Sequence, residues 1–249
     1  MTRPEPARRR RAPARDGARD ATVARREDRG AGPTDTAPPS SGGAYTVLKR
    51  AMDVALAVVQ AVLCLPAWIL VPLAIRLEDG GPVFHAQERV GRRGRLFRSW
   101  KFRSMTPRQE EDAAPRQAGL EEHRVTRVGA LLRATALDEL PQIWNILVGD
   151  MSYVGPRALL PEERSVAEDG GVVRLEDLPG YGARHRVRPG LTGLAQVQLP
   201  RDAPHRQKFR LDVLYVRRRS LRLDVALILR SIWISLRGAW PEVGEEGEG

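Results

Sequence analysis

Residues 54–75 read VALAVVQAVLCLPAWILVPLAI, a run that is apolar except for Gln60. As one continuous helix it would be about 33 Å long, enough to cross the hydrocarbon core of a bilayer. Pro66 stands in its middle and Pro72 in its second half, and an interior proline removes a backbone hydrogen bond and clashes with the preceding turn. We therefore expect a helix that is broken at Pro66.

Basic residues flank this run on both sides. Lys49 and Arg50 precede it, and Arg76 follows it, with more arginines from Arg89 onward. Because cytoplasmic flanks carry the excess of Lys and Arg, both flanks belong on the cytoplasmic face. The pattern favours a re-entrant helix over residues 44–80 that enters and leaves on one side. A kinked crossing is the second interpretation, and a buried soluble helix, which would usually show a polar face, is the third.

The composition of the 249-residue chain indicates an anionic partner. Its 41 Lys and Arg against 31 Asp and Glu leave a net charge of +10, which suits nucleic acid, anionic lipid or a phosphorylated substrate. The single cysteine, Cys64, excludes a disulfide framework and fits a reducing, cytoplasm-facing location. The four histidines lack ligand spacing, and neither a Walker loop nor an HExxH motif is present, which argues against zinc catalysis.

The two ends of the chain are expected to be tails around a catalytic domain over residues 81–240. Residues 1–43 are rich in Arg, Ala, Pro and Gly and predict a disordered basic tail without a signal peptide. Its runs such as Arg8 to Arg11 could bind anionic headgroups or be simply solvated. Residues 241–249 form an acidic tail.

A β-hairpin is predicted after the apolar run, with strands at Pro82–Val90 and Arg95–Ser104 around a Gly-bounded turn. Its basic side chains, interleaved with aromatic ones, could form a nucleic-acid-binding ribbon or face lipid phosphates. Residues 107–122 predict a mobile loop, and Val125 to Thr135 a short amphipathic helix that ends near Arg133.

Two adjacent carboxylates occur in Leu137-Asp138-Glu139-Leu140-Pro141-Gln142. Asp138 suits the N-cap of a helix that has Pro141 in its first turn and ends at Val148, before a Gly149 cap. The expected buried stripe is Leu140, Ile143, Trp144 and Leu147. A carboxylate at a helix start is held ionised and can be a nucleophile or a cation ligand, although acidic residues also open many helices for stability alone.

Two further loops have features of phosphate sites. Residues 149–157 predict a strand-like piece with a Gly-Pro turn that presents Arg157, and residues 186–193 form a Gly-bounded turn rich in arginine. Arginine forks match phosphate oxygens two at a time. Each turn taken singly is more typical of an ordinary surface loop, but together with the carboxylate pair the two turns favour a phosphate site.

The order of these motifs resembles that of the bacterial sugar transferases, the monotopic polyprenyl-phosphate phosphoglycosyltransferases. The resemblance covers residues 48–237 and rests on KRAMDVALA, GPVFHAQERVGRRGRLFRSWKFRSM, RVTRVGALLRATALDELPQIWNILVGDMSYVGPR, RHRVRPGLTGLAQV and LDVLYVRRRSLRLDVALIL. It implies transfer of a phosphosugar from a nucleoside diphosphate sugar, usually a UDP-sugar, to undecaprenyl phosphate, with release of the nucleoside monophosphate. It also implies an α+β fold, in which the re-entrant helix joins a mainly helical cytoplasmic domain with a short β-hairpin and interfacial helices.

The resemblance assigns roles to single residues. Asp138 matches the family's nucleophile, which forms a covalent phosphosugar intermediate, and Glu139 matches an acid linked to Mg²⁺, an ion that Asp138 could share. The arginines that match phosphate-cradling positions are Arg133, Arg157 and Arg188. The remaining matches are Lys101 and Arg103 in the substrate-facing KFRSM motif, Asp212 with no derivable role, and Pro66 as the helix-breaking proline.

The chain departs from the family pattern at three places. Ala158 follows Gly-Pro-Arg where many relatives have a second proline, Leu65 stands where many have serine, and residues 121–124 read EEHR where an Asp-Pro-Arg type motif is common. None of these changes touches the carboxylate pair. They bear on loop geometry and sugar preference.

The C-terminal segment predicts an amphipathic helix. Its apolar stripe could lie in the membrane interface or pack on the domain core, and consists of Leu221, Val225, Ile228, Leu229, Ile232 and Leu236.

The expected location of the protein is the cytoplasmic face of the inner membrane, and no nucleic-acid partner is expected. The sugar, the glycan pathway and the oligomeric state stay open. The alternatives are a membrane-anchored basic binding protein, full glycosyl transfer with release of the diphosphate, and direct transfer without a covalent intermediate.

Overall fold

A computed structural model describes residues 43–106, 124–166, 171–200 and 202–237. These ranges do not include residues 1–42, the predicted loop at 107–122, residues 121–123 or the acidic tail. The predictions made for those residues therefore lie outside the described structure. The described residues combine helices with short strands, which confirms the α+β class.

The apolar run forms two helices, α1 (Gly43–Leu63) and α2 (Leu65–Asp79), which meet at Cys64 with a bend of 62°. The break therefore lies two residues before Pro66, and the expected break of the helix near this proline is present. Pro66 stands in the first turn of α2, where its missing N–H costs no hydrogen bond. Of the described helices, none alone has the length and apolar character of a membrane span, but this bent pair has them together.

The predicted hairpin is present as β1 (Phe84–Val90) and β2 (Leu96–Phe102), which pair antiparallel from Phe84 opposite Phe102 to Val90 opposite Leu96. The predicted amphipathic helix is α3 (Arg127–Ala134), and the Thr126 side chain caps it by accepting a hydrogen bond from Gly129 N at 2.9 Å. Both elements frame the carboxylate pair, because α3 leads directly into it.

The carboxylate pair does not open an α-helix. Leu137–Glu139 form a 3₁₀ turn after Ala136, which has a left-handed φ of 56°, and α4 (Gln142–Val148) begins only after Pro141. The prediction of Asp138 as N-cap was wrong, because Asp138 lies inside the 3₁₀ turn, in which Leu140 N donates to Leu137 O at 3.1 Å. The cap at Gly149, with φ 96°, is as predicted.

The buried face of α4 also differs from the predicted stripe. Trp144 is 60% exposed, whereas Asn145 is 1% exposed. Asn145 is buried because it pairs with the edge of β2: its Nδ2 donates to Arg98 O at 2.7 Å and its Oδ1 accepts from Trp100 N at 3.1 Å. A satisfied polar side chain therefore takes the place expected for an aromatic one.

The two loops predicted to bind phosphate lie side by side. β3 (Ser152–Val154) pairs parallel with β6 (Gly190–Thr192), and Gly155 N continues the pairing by donating to Thr192 O at 2.9 Å. A Cβ atom on Gly190 would overlap Gly155 N, so the close approach of the backbones requires glycine there. The other elements are β4 (Arg164–Val166) paired antiparallel with β5 (Val172–Arg174), α5 (Tyr181–Arg184), α6 (Leu194–Gln198), α7 (His205–Arg218) and α8 (Leu221–Arg237).

Both ends of the α1–α2 pair attach to the same domain. Near its start, Lys49 Nζ lies 3.1 Å from the buried carboxylate of Asp224 in α8. At its end, Asp79 pairs with Arg103, just after β2. The pair also contributes to the main core, which consists of Ala57, Val71, Ile75, Phe102, Leu132, Leu140, Ile143, Ile146 and Met151. The pair is therefore joined to the domain near both of its ends.

The apolar stripe of α8 faces outward. Val225, Leu229, Ile232 and Leu236 are 45–83% exposed, and the helix buries Asp224, Leu227 and Ile234 instead. Leu227 and Ile234 pack in a second core cluster with Val154, Leu194, Val197, Tyr215 and Val216. The helix thus packs on the domain through one face and presents a second apolar face away from it.

Candidate active site

The hairpin brings a lysine to the carboxylate pair. Lys101 Nζ, on β2, lies 2.5 Å from Glu139 Oε1 and 3.7 Å from Asp138 Oδ2. The side chains of Lys101, Asp138 and Glu139 are 26%, 11% and 29% exposed. Asp138 is therefore the more enclosed of the two acids, and the lysine pairs primarily with its neighbour.

The two carboxyl groups have opposite pKa shifts. Burial raises the pKa of Asp138, as does the charge of Glu139, while Lys101 and Arg133 act against this rise. Burial would also raise the pKa of Glu139, but the charges of Lys101 and the neighbouring arginines outweigh it, and the pKa of Glu139 is lowered. Glu139 is therefore firmly ionised, whereas Asp138 is costly to charge. A carboxylate that has lost solvating water, as Asp138 has, is reactive when it is ionised.

An open cleft beside Glu139 is lined by ten residues, which do not include Asp138. Of the residues predicted from sequence, it brings together Lys101, Glu139 and Arg157. Arg89 and Gln142 also line it, and sequence reasoning had given neither a site role. The complete lining is Arg89, Ser99, Lys101, Glu139, Gln142, Met151, Arg157, Ala158, Gly190 and Leu191.

Arg133 lies beside Asp138 at the end of α3. Its Nε donates to Ser104 Oγ at 3.1 Å, and its positive charge opposes the rise in the pKa of Asp138 that burial causes. It is not among the residues that line the cleft. Asp138 therefore has Lys101 as one cationic neighbour and Arg133 as another.

Two other predicted phosphate ligands have structural partners. Arg103 is buried in its ion pair with Asp79 at the end of α2. Arg188 Nε donates to Gly149 O, the C-terminal cap of α4, at 2.8 Å. Neither lines the cleft. In this structure they hold the elements around the site and do not face the carboxylate pair.

Asp212, whose role could not be derived from its motif, supports the Arg157 turn. Its carboxylate accepts a hydrogen bond from Arg184 Nε at 2.9 Å, and both side chains are almost fully buried, at 3% and 2% exposure. Arg184 Nη2 in turn donates to the carbonyl of Arg157 at 2.6 Å. The buried pair thus fixes the backbone from which Arg157 extends into the cleft.

The residues of the site fit a magnesium ion only if substrate shares it. Among the described residues, no group of three or more acidic, histidine or cysteine side chains could hold a metal alone. Mg²⁺, however, is usually bound by one or two carboxylates together with substrate phosphates and water. Asp138 and Glu139 supply this donor set, and a diphosphate would complete it.

The pairing of the hairpin explains why Arg89 faces the cleft. Successive side chains of a strand alternate between faces, and His85 pairs with Lys101 as Gln87 pairs with Ser99. Arg89, two residues after Gln87, therefore shares the face of Lys101. Counting alternate positions back from Lys101 across the turn would have found it.

The match to a family model defines the class of protein. The model described as bacterial sugar transferase matches residues 44–238, almost all of the part that the structure describes. The chain therefore belongs to the bacterial sugar transferase family. This confirms the resemblance drawn from its motifs and the prediction of a transferase enzyme.

Several relatives whose names state an activity or a process share this region. A UDP-N-acetylgalactosamine-undecaprenyl-phosphate N-acetylgalactosaminephosphotransferase of Aeromonas hydrophila is 41% identical over 78% of this chain, and the match spans 45% of that relative. A UDP-glucose:undecaprenyl-phosphate glucose-1-phosphate transferase of Caulobacter vibrioides is 40% identical over 76% of the chain and 70% of the relative. The exopolysaccharide production protein PSS of Rhizobium leguminosarum is 37% identical over 75% of the chain and 94% of the relative. The chain thus spans under half of the first of these proteins and nearly all of the last.

Proposed function

We propose that this protein transfers a phosphosugar from a nucleoside diphosphate sugar, in particular a UDP-sugar, to undecaprenyl phosphate and releases the nucleoside monophosphate. The observation that carries the proposal is the enclosed Asp138 carboxylate, 3.7 Å from Lys101, which itself lines a cleft together with Arg89 and Arg157. An enclosed carboxylate with few solvating partners is a suitable nucleophile for phosphorus. The names of the Aeromonas and Caulobacter relatives support this donor and acceptor class.

In the first half of the proposed reaction, a carboxylate oxygen of Asp138 attacks the β-phosphorus of the UDP-sugar. The bond from that phosphorus to the bridging oxygen breaks, and UMP leaves with the oxygen and its electron pair. A phosphosugar remains on Asp138 as an acyl phosphate. Lys101 and Arg157 are placed to neutralise the charge on the phosphate oxygens during this step.

In the second half, an oxygen of undecaprenyl phosphate attacks the same phosphorus. The bond between phosphorus and the Asp138 oxygen breaks, and the free carboxylate is restored. Both nucleophiles are anions, so neither half-reaction requires a general base.

We propose that Asp138 and Glu139 hold a Mg²⁺ ion jointly with the diphosphate of the donor. When bound there, the ion neutralises phosphate charge as the leaving group departs. The lowered pKa of Glu139 keeps this carboxylate ionised and available as a ligand. Lys101, which is paired with Glu139, holds that side chain in place.

We further propose that the α1–α2 pair is a re-entrant membrane helix and that the protein lies on the cytoplasmic face of the bacterial inner membrane. Its two ends attach to one domain through Lys49 and Asp79, as expected if both lie on one side of a bilayer. The bend region exposes many apolar side chains, namely Val58, Val59, Val62, Leu63, Leu65, Ile69 and Leu70. The outward stripe of α8 would lie along the same interface.

The product of this reaction would be the first lipid-linked sugar of a surface glycan, such as an exopolysaccharide, capsule, O-antigen or glycoprotein glycan. The name of the Rhizobium relative favours exopolysaccharide production within this group. Full glycosyl transfer would release UDP and leave Asp138 without a covalent role. The released nucleotide therefore separates the two reactions.

The test is to identify that nucleotide. The full-length protein in nanodiscs would be incubated with undecaprenyl phosphate, Mg²⁺ and a panel of UDP-sugars, beside Asp138→Asn. We expect UMP from one or a few donors, in equal amount to the lipid product, and none from the variant. UDP as the released nucleotide, or no nucleotide from folded protein with any donor, would contradict the proposal.

A further inference from the structure

Arg89 lines the cleft and is held in a fixed orientation. Its Nη1 donates to Ala158 O at 3.0 Å, and its Nη2 donates to Gln87 Oε1 at 2.8 Å. These bonds use two of the five N–H donors of the guanidinium group. The side chain is thus anchored at one edge, which leaves donors for a ligand in the cleft.

The cleft holds more positive than negative charge. Lys101, Arg157 and Arg89 all lower the pKa of the single Glu139 carboxylate that lines it. Within the described residues, the Arg157 guanidinium makes no hydrogen bond or ion pair. Burial lowers the pKa of Arg89, and the charge of Arg157 adds to this effect, so the two guanidinium groups repel each other.

A second acid near Arg89 is already engaged. Glu163 accepts a hydrogen bond from Leu160 N at 3.0 Å, and its other oxygen lies 3.2 Å from His205 Nε2. The charge of Glu163 acts on Arg89 and partly offsets the repulsion from Arg157, but Glu163 does not line the cleft. Two like charges held together in a half-enclosed space are stabilised when an anion binds between them.

We propose that Arg89 is a substrate-binding residue and forms, with Arg157, a two-guanidinium clamp for the diphosphate of the sugar nucleotide. This inference rests on the proposed function, which supplies the diphosphate. A guanidinium fork matches phosphate oxygens two at a time, and a diphosphate offers one phosphate to each arginine. The anchoring bonds to Ala158 and Gln87 pre-organise the fork, so less entropy is lost on binding.

The first experiment measures binding of inorganic pyrophosphate to the full-length protein in nanodiscs by calorimetry, without any sugar nucleotide. We expect Arg89→Gln to weaken binding at least about tenfold, the scale of losing one charge-assisted hydrogen bond, and Arg89→Lys to be intermediate. Arg98→Gln is the matched control, because Arg98 is exposed on the same hairpin opposite Glu88. Unchanged affinity in folded Arg89→Gln, or no binding by the unaltered protein, would overturn the inference.

A double-mutant cycle separates contact with the anion from support of the neighbouring turn. If Arg89 binds pyrophosphate directly, Arg89→Gln weakens binding further in an Arg157→Gln background. If it only holds Arg157 in place through Ala158, the second substitution has no further effect, and the inference is wrong. Pyrophosphate binding needs no turnover, so this result stands apart from failure of the proposed reaction, which would show as absent UMP release.

Discussion

Arg184 and Asp212 form a buried ion pair, 2.9 Å between Nε and Oδ2, that holds the backbone of Arg157. The carbonyl of Arg157 accepts from the same guanidinium group, so the pair connects α5 and α7 to the turn at the cleft. An ion pair of this kind is costly to break from one side only, because the remaining charge stays buried.

We therefore expect Asp212→Asn to lower the free energy of unfolding by about 3–5 kcal/mol and to reduce activity through a displaced Arg157. The matched control is Asp177→Asn, which breaks the exposed Arg174–Asp177 pair. That change should cost less than about 1 kcal/mol. Chemical denaturation measures both, and equal effects of the two substitutions would contradict the role assigned to Asp212.

Asp138→Asn should remove activity without loss of stability. Burial raises the pKa of Asp138. Above that pKa the buried carboxylate is charged and lowers the free energy of unfolding, and this destabilisation is relieved as the pH falls through the pKa. Asparagine removes this destabilisation at neutral pH. We expect an unchanged or higher Tm and a loss of turnover of more than about 1000-fold. A clearly lower Tm would indicate that Asp138 supports the fold.

His185 should make the protein sensitive to acid. Burial, with the charge of Arg184, lowers its pKa from 6.5 to about 4, while Nδ1 bonds to Tyr181 O at 2.8 Å. His185 stays neutral in the folded state down to about pH 4, whereas in the unfolded state it binds a proton below about pH 6.5. Protonation of the unfolded state therefore lowers the free energy of unfolding as the pH falls from 6.5 to 4. The loss amounts to about 3 kcal/mol.

The test for His185 compares urea unfolding of the unaltered protein and His185→Gln across that pH range. The difference between the two free energies of unfolding should shrink by about 3 kcal/mol as pH falls from 7 to 4. Parallel pH profiles for the two proteins would show that His185 titrates alike in the folded and unfolded states.

A charge at the helix bend should release the protein from membranes. Leu63 is 75% exposed beside the bend at Cys64, and an aspartate in the bilayer costs about 3 kcal/mol. Leu63→Asp should therefore reduce flotation with liposomes about 100-fold. Leu96→Asp, at an exposed position of the hairpin, is the control and should float normally. Equal flotation of all three proteins would contradict membrane insertion of the bend.

Local patterns in the sequence were sufficient for several elements. The hairpin, α3 and the Gly149 cap follow from alternation, helical period and the conformational preference of glycine. The helix pair followed from the apolar run and its proline, although the break lies at Cys64 because the helix ends ahead of Pro66. These are short-range properties that neighbouring residues decide.

The errors concern contacts between distant segments. Asn145 took the place of Trp144 on the buried face because β2 offers an N–H and a carbonyl there, which no pattern within α4 reveals. Arg188 and Arg103 also have distant partners, Gly149 and Asp79, that their motifs do not reveal, while their expected roles toward phosphate stay predictions. Motif spacing identifies the type of residue at a site but not which arginine reaches the ligand.

The most direct test of the central claim, that Asp138 is the nucleophile, omits the acceptor. The full-length protein is mixed with its UDP-sugar and Mg²⁺ but no undecaprenyl phosphate, and released UMP and intact protein mass are measured together. We expect no more than one UMP per protein and a mass increase of one phosphosugar on the peptide that contains Asp138. This adduct should be absent from Asp138→Asn and should be lost when acceptor is added. Steady turnover with acceptor, but neither UMP nor adduct without it, would contradict the claim and favour direct transfer between two bound substrates.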